Sequence, residues 1–446
     1  MAPVTLSLAG RYSEKVLLIS GLSADGRAEL YKFVDFAAGL VHETRVPVDE
    51  LRDRQLDVIK DGLAGTELPY GHTAPEQLLG YFMHPHEFVQ TTAGDIVVSF
   101  KQAPYVRVLG SREERLWPAP EKLDYGRMLS STNCETAPGV VGLTAVASAD
   151  RFARYRGGAD LIGCELLTYE PATGVERRVD AVRPFIRDTL HQLQYSPAGY
   201  HVGVDMGLEA DVAAAGFRDA PGTPFDVDAY ARAPFPRSGF FVRDERTGTT
   251  TTHVPQTSCA AHAEIDPVDP AVFYVSCHNI SKWRNNVVVH GPGALEKYRW
   301  SPRGVTRLGR FTDPGFLRVT SQALFERDGE TFIAVPAFPN AFYLLDSDLN
   351  VVRRTVLFED EVPEPPFVCA KNTPAPLYLA VAEDTRHAFL TGASELFVVD
   401  LDDCTLVDRV RFCEPGSFLA TAHVDLVARS AAVRRLVQGA ADERAA

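Results

Sequence analysis

Four histidines stand near the start of repeated strand–turn–strand segments. His191 sits in DTLHQLQYSPAGYHVGVDM (Asp188–Met206) and His86 in HEFVQTTAGDIVVSF, and each stands eight residues before a turn glycine, Gly199 and Gly94. His262 takes a comparable place in AHAEIDPVDPAVFYVS, ahead of the longer turn Asp266–Pro270, and His423 in ATAHVDLV, where no following turn fixes the register. Imidazoles far apart in sequence can share one ion if their segments converge. Neutral imidazole suits Fe, Zn, Cu and Ni, whereas carboxylate-rich sites suit Mg and Ca. No carboxylate recurs at these strand starts, so the pattern points to a divalent transition metal held by His86, His191, His262 and His423. Four such ligands leave open positions on an octahedral ion, fit for Lewis-acid or oxygen-activating chemistry. The competing reading of each histidine is a hydrogen-bonded structural residue.

Other side chains compete for roles around that ion. His84 lies two residues before His86, on the same side if the segment is a strand, and could bind metal or substrate. His278, in SCHN, could reach the same centre from the far end of its segment. At matching inner-strand positions stand Gln322, beside Ser321, and Tyr378. Gln322 is a candidate for substrate binding. Tyr378 is a candidate general acid or base, against the alternative of a core aromatic. His42, His72, His253, His290 and His387 read as surface or blade-edge residues. The chain has no GxxxxGK[ST] loop, no GxGxxG after a strand, no GxSxG elbow and no HExxH helix, which removes the commonest phosphate, dinucleotide, hydrolase and metalloprotease signatures. The turns DSDLN and DLDDC lack the length and terminal Glu of a calcium loop.

The elements that must position these residues are short. With 33 glycines and 30 prolines punctuating brief apolar runs, few stretches keep a helical period, and the fold class is all-β. The first sheet takes Lys15–Leu22, ELYKFVDF and GLVHETRVPV. The second takes HEFVQTT, DIVVSFK, PYVRVLG and the segment ending at Trp117. The third runs through VVGLTAVAS and CELLTYEPATGVERRVDAV, and the fourth from the His191 segment to SGFFVRDERTGTTTTHV. The fifth joins AHAEIDPVDPAVFYVSCHN to NNVVVHG, LEKYRW and GVTRLGRF. The sixth and seventh, from Phe316 to Phe412, repeat the pattern most cleanly. Four strands every ~40–50 residues predict a seven-bladed β-propeller, with GSFLATAHVDLV completing the N-terminal sheet to close the ring. A two-sheet sandwich is the alternative. The reading is one domain, 1–446, with inserted segments near 46–80, including a helix over Glu50–Gly65, and 207–237, a loop placed as a lid. A helical, frayed tail occupies 428–446.

Composition narrows the partners. The net charge of −14, with no Lys/Arg block, disfavours nucleic acid. No apolar run of about 18 residues suggests a membrane span. Seven scattered cysteines, without a CxxC pair, read as reduced thiols rather than a secreted disulfide framework. MAPVTLSLAG lacks a basic stretch followed by a sustained apolar run, so no leader is expected, and the cytoplasm is the default setting. The partner expected is a small organic molecule.

The turn signals RDGET, EDTRH and SPAGY, with the blade pattern of Phe316–Phe412, resemble the β-propeller superfamily, which implies the fold and little more. The placement of His86, His191, His262 and His423 resembles that of carotenoid cleavage oxygenases, where four inner-strand histidines hold a ferrous iron. With Gln322 replacing one of them it is similar to oligogalacturonate lyase, whose three histidines and a glutamine hold manganese. The flanking sequences reproduce neither family's motifs. The resemblance implies Fe(II), with Mn(II) second. It gives a non-haem iron oxygenase first and a metal-dependent lyase second, with Tyr378 or a spare histidine taking the proton. A non-catalytic interaction scaffold is the reading from another class.

Overall fold

Short apolar runs that cannot each bury two faces alone must pack against neighbours, and the chain does this in a closed circle. The computed structural model describes residues 8, 11–66, 68, 72–100, 103–125, 127–130, 134–147, 162–186, 190–205, 239–257, 259–283, 286–370 and 373–445. Seven antiparallel sheets form the blades. Blade one pairs Lys15–Ser23, Ala28–Asp35 and Leu40–Pro47, and takes its innermost strand, Phe418–Ala428, from the other end of the chain. Blade two is Pro85–Gln90, Ile96–Phe100, Val106–Leu109 and Glu114–Trp117. Blade three runs outward from Arg127–Ser130 through Val140–Ala147 and Ile162–Glu170 to Val175–Ile186, with Glu135–Ala137 as an extra pairing. Blade four is Leu190–Ser196, Tyr200–Asp205, Gly239–Asp244 and Thr250–His253. Blade five is Ala260–Ile265, Val272–Cys277, Ala294–Ser301 and Gly304–Phe311. Blade six spans Ala323–Arg327 to Val351–Val356, and blade seven Tyr378–Val381 to Thr405–Arg411.

Each blade touches the next near the axis, and the inner strands of blades seven and two both contact Phe418–Ala428. The circle therefore closes, which excludes the sandwich. Its core is a set of slabs between adjacent blades rather than one central mass. Phe36 and Phe389 pack between blades one and seven, Tyr31 and Phe100 between one and two, and Phe240 and Phe273 between four and five. Middle strands consequently face apolar neighbours on both sides, and Ala28–Asp35 is buried at every residue. A buried ion pair crosses the slab between blades one and two: Arg107, on blade two, grips Glu29 of blade one through Nε and through Nη2, the latter 2.9 Å from Oε1. The Tyr31 hydroxyl adds a 2.6 Å bond to the same carboxylate.

Three expectations are corrected. NNVVVHG does not join blade five: Asn286–Val289 pairs with Ile280–Trp283 and with Phe367–Ala370 in a separate three-stranded sheet. The third position of the blade is filled by Ala294–Ser301, and two apolar runs in a row cannot be ranked by hydrophobicity alone. Secondly, the C-terminal helix, Ala431–Ala445, is docked in its first half. Val433 and Leu436 are buried between blades one and two, Thr44 Oγ1 donates to the Leu436 carbonyl at 3.2 Å, and the Arg435 guanidinium donates to the Gly110 carbonyl at 3.1 Å. Thirdly, His72 and His387 are buried rather than superficial, whereas His42 stands on the edge strand of blade one as expected, although its side chain is buried. The helix of the first insertion is present as Asp49–Gly62, whereas the 207–237 segment lies outside the described residues. No helix among the described residues is long and apolar enough to cross a membrane. Six cysteines among the described residues are free thiols.

Burial pushes the imidazole of His290, which follows the extra sheet, down to about 4. The folded protein thus disfavours the charged ring that the unfolded chain accepts below its ordinary value of ~6.5. The contribution to stability is complete above that value and disappears as the pH falls through the interval towards 4. A His290→Asn variant should show a shallower loss of melting temperature than the parent over this interval. Parallel melting curves against pH would contradict the assignment.

Candidate metal centre

The inner strands carry a shared irregularity where the histidines stand. On blade two the register passes from Pro85 opposite Phe100 to Glu87 opposite Ser99, which makes His86 an extra residue. On blade four it passes from Leu190 opposite Asp205 to Gln192 opposite Val204, leaving His191 extra. On blade five, Ala261 and His262 together face Ser276. On blade one the pairings Ile19–Val424 and Gly21–Thr421 leave Ala422 and His423 opposite Ser20. A β-bulge breaks the two-residue alternation and re-aims the side chain it carries. Four blades use one at the same level, and this converts edge positions into axial ones.

Three of the four histidines meet. The rings of His86 and His191 lie 4.5 Å apart, edge to face, and those of His191 and His262 lie 4.8 Å apart. The His423 side chain lies outside the described residues, although its strand borders blade two. The sequence pattern missed the fourth participant. Glu87, beside His86 and 1% exposed, brings Oε1 within 3.7 Å of His262 Nε2 and 3.9 Å of His86 Nδ1. Glu87, His191 and His262 each offer a ligand atom, and the three atoms lie within 4.8 Å of one another. Donors bound at ~2.1 Å to one ion are separated by roughly 3–4 Å, so a small contraction would let them share it. A single carboxylate thus stands among the histidines, although none recurs at the inner-strand starts. The signal was present in the neighbouring residue, but strict alternation sends adjacent side chains to opposite faces, and only the bulge brings Glu87 and His86 to one side.

The chemistry of the donors fits a metal. Nδ1 of His262 contacts the Thr320 carbonyl, which can only accept, so this nitrogen carries the proton and Nε2 presents its lone pair towards Glu87. Such a bond on the remote nitrogen is the usual orienting partner of a metal-binding imidazole. Burial lowers His262 to about 4, with the Thr320 bond opposing. Burial, and secondly the charge of Glu264, push the Glu87 carboxyl well above the usual range. Glu264 itself is pushed up to about 8 by burial, against the hydrogen bond from Gln192.

The remaining candidates are spread around this centre. His84 lies next to His86, rings 5.4 Å apart, and is buried. Gln322 reaches the backbone of His262, its Nε2 3.2 Å from the carbonyl. His278 follows the second strand of blade five, its backbone N–H donating to the Cys259 carbonyl at 2.9 Å. Tyr378 is half-buried on the inner strand of blade seven, between two apolar clusters. Burial raises its phenol, with the Arg318 charge opposing. Two insertions flank the end at which the inner strands start. The helices Asp49–Gly62 and Leu79–Phe82 pack with Leu22 and Leu419. The three-stranded sheet packs through Ile280, Val287 and Val289 on Cys259 and Leu317.

No family model matches the chain, and no curated protein matches it. Among solved structures it is similar in fold to the periplasmic gluconolactonase of Pseudomonas aeruginosa, at 12% identity and a TM-score of 0.48, over 93% of this chain and 99% of that one. It is also similar to dihydro-haem d1 dehydrogenase, at 13% identity and a TM-score of 0.46, over 94% of this chain and 77% of that one. A functionally unknown protein from Desulfotomaculum acetoxidans is similar at 10% identity and a TM-score of 0.41, over 77% and 90% of the two chains. The blade pairing of the chain itself carries the fold.

Proposed function

We propose that this protein is a mononuclear metal enzyme acting on a small organic substrate at the mouth of the channel, a non-haem iron oxygenase. The observation that carries the reading is the buried convergence of Glu87, His191 and His262 from three different blades. Two imidazoles and one carboxylate with open positions are the donor set of non-haem Fe(II) oxygenases, and the bound ion would supply the redox chemistry that dioxygen needs. The chain's own contribution is preparation. Thr320 fixes the tautomer of His262, Glu87, whose neutral form burial favours, would become the anionic donor on binding the ion, and His86 packs edge-on against His191. The flanking helices pack on Leu22 and Leu419 and the extra sheet on Cys259 and Leu317, at the end where the inner strands start.

A metal-dependent lyase ranks second: burial raises the Tyr378 phenol, with the Arg318 charge opposing, which disfavours it as the base and leaves that part to a spare histidine. Mn(II) ranks second as the ion because it belongs with the lyase reading. The free thiols accord with the cytoplasm as the proposed setting. The deciding experiment is metal analysis after anaerobic reconstitution with Fe(II), followed by dioxygen consumption with candidate substrates. About one equivalent of iron and substrate-dependent oxygen uptake are expected. A folded protein that retains no metal would leave an interaction scaffold instead, and a metal-loaded protein that turns substrate over without dioxygen would favour the lyase.

A further inference from the structure

The histidine-bearing strand of blade five, Ala260–Ile265, is the inner edge of its sheet. Backbone groups on the axial side of such an edge have no ladder partner, and the bulge at Ala261 and His262 disturbs the side facing Val272–Cys277 as well. Their partners come from side chains on three sides. Ser276, directly opposite the bulge, places its hydroxyl 3.2 Å from the His262 N–H. From blade four, Gln192 accepts the Ala263 N–H at 2.5 Å through Oε1 and donates through Nε2 to Glu264 at 3.1 Å. From blade six, Gln322 donates through Nε2 to the carbonyls of His262, at 3.2 Å, and Tyr274, at 3.4 Å. Two carbonyl neighbours admit only the NH₂ end of the amide, so the orientation of Gln322 is fixed by chemistry. Gln192 and Gln322 are 1% and 4% exposed, and buried amides of this kind are retained only when their bonds are made.

We propose that Gln192 and Gln322 are positioning residues of the metal centre. They clamp the bulge from both neighbouring blades and so aim His262 at Glu87 and His191. Gln192 does this twice over, since it follows His191 directly and ties that bulge to the one in blade five. This inference rests on the metal reading above only for its effect on ion binding; the clamp itself is a property of the chain. Gln194 supplies an internal control. Its Nε2 donates to Glu264 at 3.2 Å, so it shares the carboxylate with Gln192.

The test uses Co(II) as probe on the full chain, with Gln192→Met, Gln322→Met and Gln194→Met. Methionine preserves volume while removing both ends of the amide bridge. Loss of an orienting partner typically weakens metal binding by about 10–100-fold. That loss, with a shifted visible absorption band, is expected for Gln192→Met and Gln322→Met, and a change of under about threefold for Gln194→Met. Hydrogen exchange at the amides of residues 261–264 in the metal-free protein is expected to accelerate at least about tenfold in the first two variants, because the open state of the bulge gains in population. Unchanged exchange there overturns the clamp. Faster exchange with an unaltered Co(II) affinity and band overturns the positioning role and leaves a purely structural one. If the parent protein takes up no Co(II), the metal reading fails on its own, while the exchange result still decides the clamp. Should either methionine variant not fold, the shorter amides Gln192→Asn and Gln322→Asn, which cannot span the same gaps, carry the same expectations.

Discussion

Glu87→Gln should reduce the affinity for a first-row divalent ion by at least ~100-fold while leaving the metal-free protein as stable as its parent. A ligand does more than the orienting residues whose loss costs about 10–100-fold, and glutamine keeps the shape of the side chain but not its charge. The neutral amide is also easier to bury than a carboxylate, and Glu87 is almost wholly enclosed. The metal-free melting temperature should therefore stay level or rise. Competition titration against a chelator measures the first quantity and a thermal melt the second. An unchanged affinity would remove Glu87 from the donor set and return the centre to histidines alone. A collapse of the metal-free melt would show that Glu87 holds the blades together instead.

Arg107→Met should be the most damaging single change away from the centre. It strands Glu29, which is fully buried, after removing both guanidinium contacts from the slab between blades one and two. Breaking a buried pair by removing one partner costs about 3–5 kcal/mol, whereas replacing both partners by well-packed neutral groups is often nearly neutral. Adding Glu29→Gln to Arg107→Met should thus recover much of the loss. The Tyr31 hydroxyl, already 2.6 Å from that side chain, remains a partner for the amide. Urea unfolding of the single and double variants settles it: a double variant no more stable than Arg107→Met would mean that the stranded charge is not the source of the damage.

Much of the architecture was legible because it rests on local signals. Turn glycines such as Gly94 and Gly199 adopt positive φ of 89° and 90°, a conformation that favours glycine, and they mark the hairpins in the sequence. The recurrence of a histidine ahead of such turns brought His86, His191 and His262 together on paper as they are in space. What could not be read is non-local. Glu87 was passed over because a bulge is a property of two strands in register, not of one. The fate of Asn286–Val289 depends on Phe367–Ala370, some eighty residues on in the chain. The innermost strand of blade three, Arg127–Ser130, is only four residues long, too short for a pattern. Gln192 and Gln322 act through backbone groups of another blade, which no periodicity within their own segments reports.

The closure of the ring by Phe418–Ala428 sets an order of events during synthesis. Blades two to seven can form as the chain emerges, but the first blade lacks its axial strand until Phe418–Ala428 has been made. Glu87, His191 and His262 are borne by blades two, four and five, all of which precede the closing strand in the chain. An isolated fragment ending before Phe418 would lack the strand that joins blades seven and two, however well its other sheets had folded.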